Sequence, residues 1–435
     1  MDRANAQFQT IVAQSMSPQQ RTKFYLRKYR SILGNGTSLF SLKTIDLGLS
    51  LWLIPFLIAK IGMYNYGVYA FAMALTWFFV NILNYGFNLS TVREIATNKH
   101  HPESLQTIFN EVLSVKLFLF IVLLSVYFVL TYSVPQFSDH KTLYICCSFI
   151  LFGDLFSLRW FFMGIEKMKF IAWIHFFGTA IFVTLVLINI QSENDFDRVP
   201  LYQAIGMSFT SFISFVWVVR KYKFKIQLFS MSRILKYLKD NFSAFISLLL
   251  PSTYGTSLVF LVGAFGLPTM AGFTQIGVKV AGAFSTLTNI LTNVYFPVFN
   301  RVKSTMDRTR KFLILVGFYA SVLMFLFGGF LIEYWLHFEK ASEIQNVQLI
   351  VQLMSPVPFL MAVISSYGVN GLLVLFQDKI FGRITIISSF IMLLFAILCV
   401  PIFPVFGGAL AFLIGRMVYA GLSFYFFNVG HGTTN

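Results

Sequence analysis

Charged residues are scarce in this 435-residue chain, making up only 11% of it. An ordinary soluble domain has roughly a quarter of its residues charged. Hydrophobic residues make up 57% and aromatic residues 18% of the sequence. Apolar stretches of about 20 residues, enough to cross roughly 30 Å of hydrocarbon, recur from residue 37 almost to the C-terminus. The composition therefore excludes a soluble protein and predicts an all-α polytopic membrane protein.

Cysteines and the motifs of catalytic centres are also scarce. The three cysteines, Cys146, Cys147 and Cys399, lie in apolar runs, and their spacing suits neither a zinc site nor a disulfide framework. The chain has no Walker-type glycine loop, no HExxH and no long polar segment that could form a soluble catalytic domain. We therefore expect no enzymatic activity, no metal and no cofactor.

Apolar windows bounded by charge, proline and glycine predict twelve membrane helices. They span residues 37–60, 68–92, 108–132, 141–163, 170–190, 200–220, 240–263, 270–297, 312–336, 347–375, 380–401 and 406–428. An even number of spans places both termini on one side of the membrane.

Acidic residues are half as common as basic ones, 17 against 33, which gives a net charge of +16. If both termini are cytoplasmic, the inner segments carry 23 Lys and Arg residues and the outer loops carry four. This asymmetry is the positive-inside pattern, and it brings the basic loops to anionic lipid headgroups. The basic charge therefore indicates topology and contact with membrane lipids, and we expect no nucleic-acid partner.

The longest inner loop divides the predicted helices six and six. The expected parts are an N-terminal cytoplasmic extension (1–36), a six-helix bundle (37–220), a basic cytoplasmic linker (221–239) and a second six-helix bundle (240–435). "FLIAKIGMYNYGVYAFAMAL" in the first half has the layout of "FLVGAFGLPTMAGFTQIGVKV" in the second. A pseudo-two-fold repeat of this kind is typical of transporters that rock two bundles around a central site.

Polar side chains recur at helical spacing in several predicted helices, on one face of each. They include Gln275, Lys279 and Asn289 in helix eight, Asn81 and Asn84 in helix two, and Lys43 and Asp46 in helix one. Such residues can hydrogen-bond between helices, or they can line a polar cavity shared by the two halves. Their occurrence on equivalent helices of the repeat favours the cavity.

Buried charges form two groups. Lys116 and Asp154 lie at matched depth on neighbouring antiparallel helices, and Glu111 and Arg159 could form a second pair nearer the cytoplasm. We interpret both as structural ion pairs, because a lone charge at membrane depth costs at least about 3 kcal/mol. Lys43 and Asp46, three residues apart, can also neutralise each other, or they can serve transport.

Lys279 and Arg416 form the second group. No acidic residue in the C-terminal half lies at a similar depth. Intramembrane cations of this kind usually mark a substrate or ion path, and arginine can bind a phosphate group through two hydrogen bonds. The two side chains predict an anionic cargo.

Three stretches resemble bacterial polysaccharide flippases of the O-antigen translocase type. These are "YGVYAFAMALTWFFVNILNYGFNLSTVREIA", "RWFFMGIEKMKFIAWIHFFGTAIFVTLVLIN" and "AGFTQIGVKVAGAF". Such flippases belong to the multidrug/oligosaccharidyl-lipid/polysaccharide exporter superfamily. The resemblance implies a protein of the bacterial inner membrane that carries a polyprenyl-diphosphate-linked oligosaccharide for surface polysaccharide synthesis. It also implies polysaccharide polymerase machinery as a partner.

Two other functions remain open from the residues. A proton- or sodium-coupled multidrug antiporter of the same superfamily would use Asp46 to bind a proton and a cationic drug in turn. A membrane scaffold that transports nothing would not need cations at membrane depth. The charge at that depth is Lys43, Lys116, Lys279 and Arg416 against Asp46 and Asp154. The excess of cations favours the flippase, in which Lys279 and Arg416 hold the diphosphate.

Overall fold

All regular structure is helical in the parts of the chain that the computed structural model describes, which are residues 18–299, 306–336, 341–375 and 377–432. Helices satisfy their own backbone hydrogen bonds, which a segment in lipid requires. Nine helices in these ranges are long and apolar enough to cross a membrane. The chain is therefore an all-α multi-pass membrane protein, while the number twelve and the two-bundle repeat stay predictions.

The N-terminal half begins with one long helical segment, α1, which is divided at Gly62. Gly62 has φ 74° and ψ 164°, a non-helical conformation that glycine adopts readily. The helices of this half are α1 (Pro18–Leu83), α2 (Ser90–Asn98), α3 (Pro102–Ser133), α4 (Pro135–Ser138), α5 (Lys141–Leu155), α6 (Arg159–Gly164), α7 (Met168–Asn189), a 3₁₀ turn (Glu193–Arg198) and α8 (Val199–Tyr222).

A short amphipathic helix precedes the C-terminal half. The remaining helices are α9 (Met231–Asp240), α10 (Phe242–Ala264), α11 (Pro268–Phe299), α12 (Met306–Trp335), α13 (Ala341–Leu353), α14 (Val357–Val363), a π-helix (Ile364–Leu373), α15 (Asp378–Ile402) and α16 (Gly407–Gly432). The division into parts at 1–36, 37–220, 221–239 and 240–435 stays a prediction. Residues 1–17 of the expected extension lie outside the described residues.

Helix α1 joins the two halves, because it packs on α5 and α7 on one side and on α10 and α11 on the other. At two glycines the contact with α11 brings backbone close to backbone. A Cβ atom placed on Gly67 would collide with the carbonyl of Pro268, and one on Gly272 would lie 3.1 Å from the Cα of Gly67. The absence of side chains at these two glycines thus sets how closely α1 and α11 approach.

The second and fourth predicted helices are shorter than the sequence indicated. The second ends at Leu83, and the chain then passes through Tyr85 (φ 30°) and Gly86 (φ 77°), which are left-handed conformations that end a helix. The fourth is interrupted between Leu155 and Arg159. Hydropathy detects apolar length, and both breaks lie within apolar runs, so the pattern could not show them.

Candidate functional site

The two helix breaks face each other. After α1 the chain is non-helical until α2, and after α5 it is non-helical until α6, while α2 and α6 pack together. Irregular backbone at membrane depth is tolerated where it is buried in protein or lines a cavity. Discontinuous helices of this kind commonly form the binding sites of transporters. The breaks therefore locate the first candidate site.

Lys116 stabilises the break after α5. Its Nζ donates to the backbone oxygens of Asp154 (2.7 Å) and Ser157 (3.4 Å), and it lies 3.3 Å from Asp154 Oδ2. The side chain is completely buried, with 1% of its surface exposed. The structure thus brings together the two residues expected to pair, and it adds the carbonyl groups that the helix end leaves without intrahelical partners.

Asn84 connects this buried pair to the break after α1. Its Nδ2 donates to Asp154 Oδ2 at 3.0 Å and to the backbone oxygen of Val80 at 3.0 Å. Asp154 therefore accepts hydrogen bonds from both sides, from Lys116 on α3 and from Asn84 at the end of α1. The three side chains form one network that fixes the two breaks relative to each other.

The network borders a cavity, which we call the polar cleft, of about 230 Å³. Its lining combines polar residues of the N-terminal half with apolar residues of α10. The lining residues are Asn81, Asn84, Gly86, Asn88, Arg159, Met163, Phe245, Leu248 and Leu249. The halves also touch beside it, where the rings of Tyr85 and Phe245 stack with centroids 4.4 Å apart. The cleft thus lies between the two halves of the molecule.

The expected pair of Glu111 and Arg159 is wrong. Glu111 Oε1 instead lies 3.1 Å from Nε of Arg233, which α9 brings back against α3. The prediction assumed a continuous fourth helix, whereas the break before α6 changes the face on which Arg159 lies. Arg159 is exposed and lines the polar cleft, and no described carboxylate forms an ion pair with it.

Helix α9 is held against the N-terminal half by polar contacts. The hydroxyls of Tyr237 and Thr91 are 2.7 Å apart, and Tyr85 donates from its hydroxyl to the backbone oxygen of Leu238 at 2.9 Å. Burial raises the pKa of Tyr237 to about 12, although the hydrogen bond with Thr91 opposes the shift. The hydroxyl of Tyr237 therefore stays protonated at any physiological pH.

Lys279 lies on an uncovered face of α11. Its side chain is exposed, and a Cβ on Gly282, three residues further along, would meet nothing within 4 Å. Gln275 and Asn289 are half-buried on the same helix, while Ile276 and Val280 are buried. Lys279 also takes part in an interaction within the structure.

Arg416 is held by aromatic rings. Its guanidinium carbon lies 4.2 Å from the ring centroid of Tyr254 on α10 and 5.0 Å from that of Phe412 on α16. The Nε of Arg416 is buried and has no hydrogen-bond partner in the described part of the chain. Cation–π contacts therefore compensate part of the cost of this charge.

Two of the expected site residues cannot be placed. Lys43 and Asp46 belong to α1, but their side chains lie outside the described residues. Two lining residues of the cleft, Met163 and Phe245, are located by the structure alone, because they gave no distinct signal among the apolar residues around them. Among the described residues, no three His, Cys, Asp or Glu side chains lie close enough to hold a metal ion.

The fold, with its broken helices and a polar cleft between two halves, defines a polytopic membrane transporter. A family model described as "Polysaccharide biosynthesis protein" matches residues 32–303. The chain belongs to this family, and its resemblance to O-antigen flippases of the exporter superfamily is confirmed. The family consists of transporters and flippases rather than enzymes.

Two proteins that are similar to this chain in sequence agree with the family assignment. A protein of Escherichia coli (strain K12) named "Putative O-antigen transporter" is 25% identical over 388 residues, which cover 87% of this chain and 92% of that protein. A protein of the same name from Shigella dysenteriae is 33% identical over 174 residues, covering 40% of this chain and 43% of that protein.

Two solved structures share the fold. The lipid II flippase MurJ in an inward closed conformation has a TM-score of 0.70 at 13% identity, covering 89% of this chain and 86% of its own. An inward-facing multidrug resistance MATE family transporter of the MOP superfamily has a TM-score of 0.60 at 15% identity, covering 88% and 98%. At such identities the likeness shows the fold alone.

Proposed function

We propose that this protein is a flippase of the bacterial inner membrane that moves polyprenyl-diphosphate-linked oligosaccharide units for surface polysaccharide synthesis. Twelve helices in two six-helix bundles, with both termini cytoplasmic, would alternate access to a cationic central cavity. The names of the two sequence relatives support an O-antigen cargo. Membrane lipids surround the protein, and the polymerase machinery would receive the product.

The observation that carries the proposal is the exposed Lys279 in the apolar helix α11. An ammonium group facing hydrocarbon would be costly, so this face of α11 must border water or a polar ligand. Gln275 and Asn289 extend the same face and offer hydrogen bonds to sugar hydroxyls. Lys279 and Arg416 would hold the diphosphate, and Asn81 and Asn84 would supply polar contacts from the other half.

The helix-one pair would serve the conformational cycle. Lys43 and Asp46 would neutralise each other in one state and hydrate or bind the cargo in the other. Because a carboxylate at this position suits a cationic drug as well, Asp46 also distinguishes the flippase from the antiporter.

Surface polysaccharide in cells that lack their native flippase tests the proposal. Lys279→Ala should abolish surface polysaccharide although the variant protein inserts normally into the membrane. Lys279→Arg should keep some activity because the charge remains. Arg416→Ala should also abolish it, and Arg416→Lys, which keeps a cation over the two rings, controls for folding. Asp46→Asn should slow export without preventing cargo binding.

Replacing Arg383, an exposed arginine near the start of α15, is the matched control for these substitutions and should leave export unchanged. Full polysaccharide from both alanine variants would overturn the proposal. Drug resistance that depends on Asp46 would assign the protein to the antiporters instead.

A further inference from the structure

The polar cleft is separate from the face of α11 that bears Lys279. No described residue of α11 lines it, and its walls come from the end of α1 and the break that follows it, from α6 and from α10. We infer that the cleft is a loading site for the phosphate-bearing headgroup of a membrane lipid, with Arg159 as the anion contact. This inference rests on the proposed function, since it gives the cargo a first binding position.

Charge is the first argument. Among the described residues that line the cleft, Arg159 is the one that carries a charge. Lys116 and Asp154 neutralise each other behind the wall, and Glu111 is occupied by Arg233. The cleft therefore carries a net positive charge, and an exposed guanidinium offers two parallel N–H groups to phosphate oxygens.

The rest of the lining argues for a lipid whose phosphate is joined to a hydroxylated group. Asn81 and Asn88 offer amide donors and acceptors, whereas Asn84, whose amide N–H groups are used by Asp154 and Val80, offers its carbonyl oxygen. The Oδ1 of Asn88 is buried without a hydrogen-bond donor in the described residues. An acceptor of this kind suits a hydroxyl group, since a phosphate has only acceptor oxygens when ionised. Phe245, Leu248 and Leu249 form an apolar wall that suits a lipid chain.

Size limits what can enter. The cleft has a volume of about 230 Å³. It is smaller than the ~300–1,000 Å³ of typical sites for whole ligands. The cleft can thus hold a phosphate or diphosphate with part of one sugar, but not an oligosaccharide. This fits a loading position rather than the site through which the whole cargo passes.

Lys116 is a positioning residue for this site. It binds the carbonyl group of Asp154 at the end of α5 and that of Ser157 in the break before α6, so it holds the segment that places Arg159 in the cleft. Asn84, itself part of the lining, is bound to Asp154. The buried network therefore fixes both the cation and one amide of the cleft.

Binding to the purified protein in lipid nanodiscs tests the inference, with a long-chain prenyl diphosphate as the probe. Arg159→Gln should weaken binding by about tenfold or more, because a hydrogen bond to a charged group contributes about 1.5–3 kcal/mol. Arg159→Lys should retain part of the affinity. Met163→Trp should also weaken binding, since the larger side chain fills the cleft without changing its charge.

Three comparisons make the outcome decisive. Arg383→Gln removes an exposed arginine elsewhere and should bind as the unmodified protein does. The prenyl alcohol of equal length should bind weakly, since it lacks the phosphate. Inorganic diphosphate should compete poorly, whereas effective competition would show a site for soluble anions and overturn the assignment to a lipid.

Failure of the inference and failure of the proposed function give different results. If the Arg159→Gln and Met163→Trp variants bind the prenyl diphosphate as tightly as the unmodified protein does, the cleft is not the loading site. This holds even if the protein restores surface polysaccharide. A protein that restores no polysaccharide in any form would refute the proposed function, whatever it binds.

Discussion

Lys116 is a charged side chain that the protein buries completely inside a membrane helix bundle. Its ammonium group has three protons, and the structure supplies acceptors at Asp154 Oδ2 and at the two carbonyl oxygens before α6. Removing one partner of a buried ion pair leaves the other without compensation, which costs about 3–5 kcal/mol. The pair should therefore matter more for folding than any pair at the surface.

Replacing Lys116 tests this. Lys116→Met should lower the melting temperature of the purified protein strongly, because Asp154 then keeps a buried charge without its cation. The exchange Lys116→Asp with Asp154→Lys should restore part of the loss. Lys99→Met, which breaks the exposed pair of Lys99 and Glu166 at 3.2 Å, is the control and should cost less than about 1 kcal/mol. An exchange variant no more stable than Lys116→Met would contradict the pairing.

The sequence predicted some of these residues and missed the arrangement of others. Matched depth on adjacent helices was enough to suggest Lys116 with Asp154, because depth follows from counting residues along a helix. The same count failed for Arg159, since the break before α6 rotates it out of the assumed face. The contact of Arg416 with Tyr254 depends on the packing of α10 against α16, which no spacing within one helix reveals.

Among the elements, α1 and α11 show how closely two helices can approach when glycine lies at their contact. Gly67 and Gly272 have no Cβ, and the nearest atoms are largely backbone, which cannot rotate away. The long apolar segments themselves were predictable from hydropathy. The breaks at Tyr85 and before Arg159 were not predictable in this way. The first depends on the left-handed backbone conformation at Tyr85 and the second on the contacts of Lys116 with carbonyl groups, and hydropathy shows neither.

Two glycine substitutions distinguish the close contact between α1 and α11 from the general effect of glycine on helix stability. Gly67→Ala should destabilise the protein, because the methyl group collides with the carbonyl of Pro268. Gly421→Ala, in α16, meets nothing within 4 Å and should be neutral or stabilise the protein by up to about 1 kcal/mol. Melting temperatures of the two purified variants provide the measurement. Equal values would show that α1 and α11 do not approach as the structure has them.

At the scale of the whole molecule, the distribution of basic residues predicts the orientation. The 220–240 segment, which includes α9, should be cytoplasmic, whereas the acidic 3₁₀ turn at Glu193–Arg198 should face outward. The three natural cysteines are buried or half-buried, so introduced cysteines can be followed against a low background.

Labelling with a membrane-impermeant maleimide tests this orientation. Ser230→Cys should react only after the cells are permeabilised, and Asn194→Cys, in the 3₁₀ turn, should react in intact cells. The opposite pattern would place the basic segment outside and would remove the basis for cytoplasmic termini.

The glycine contact between α1 and α11 has a further consequence for turnover. When two surfaces separate and come together again, every side chain that is ordered on closing loses rotamer freedom, at up to about 2 kcal/mol for a long flexible residue. Glycine has no rotamers to lose. In the proposed transport cycle, the two halves would therefore part and rejoin at Gly67 and Gly272 without that entropic cost, which favours fast and reversible closure.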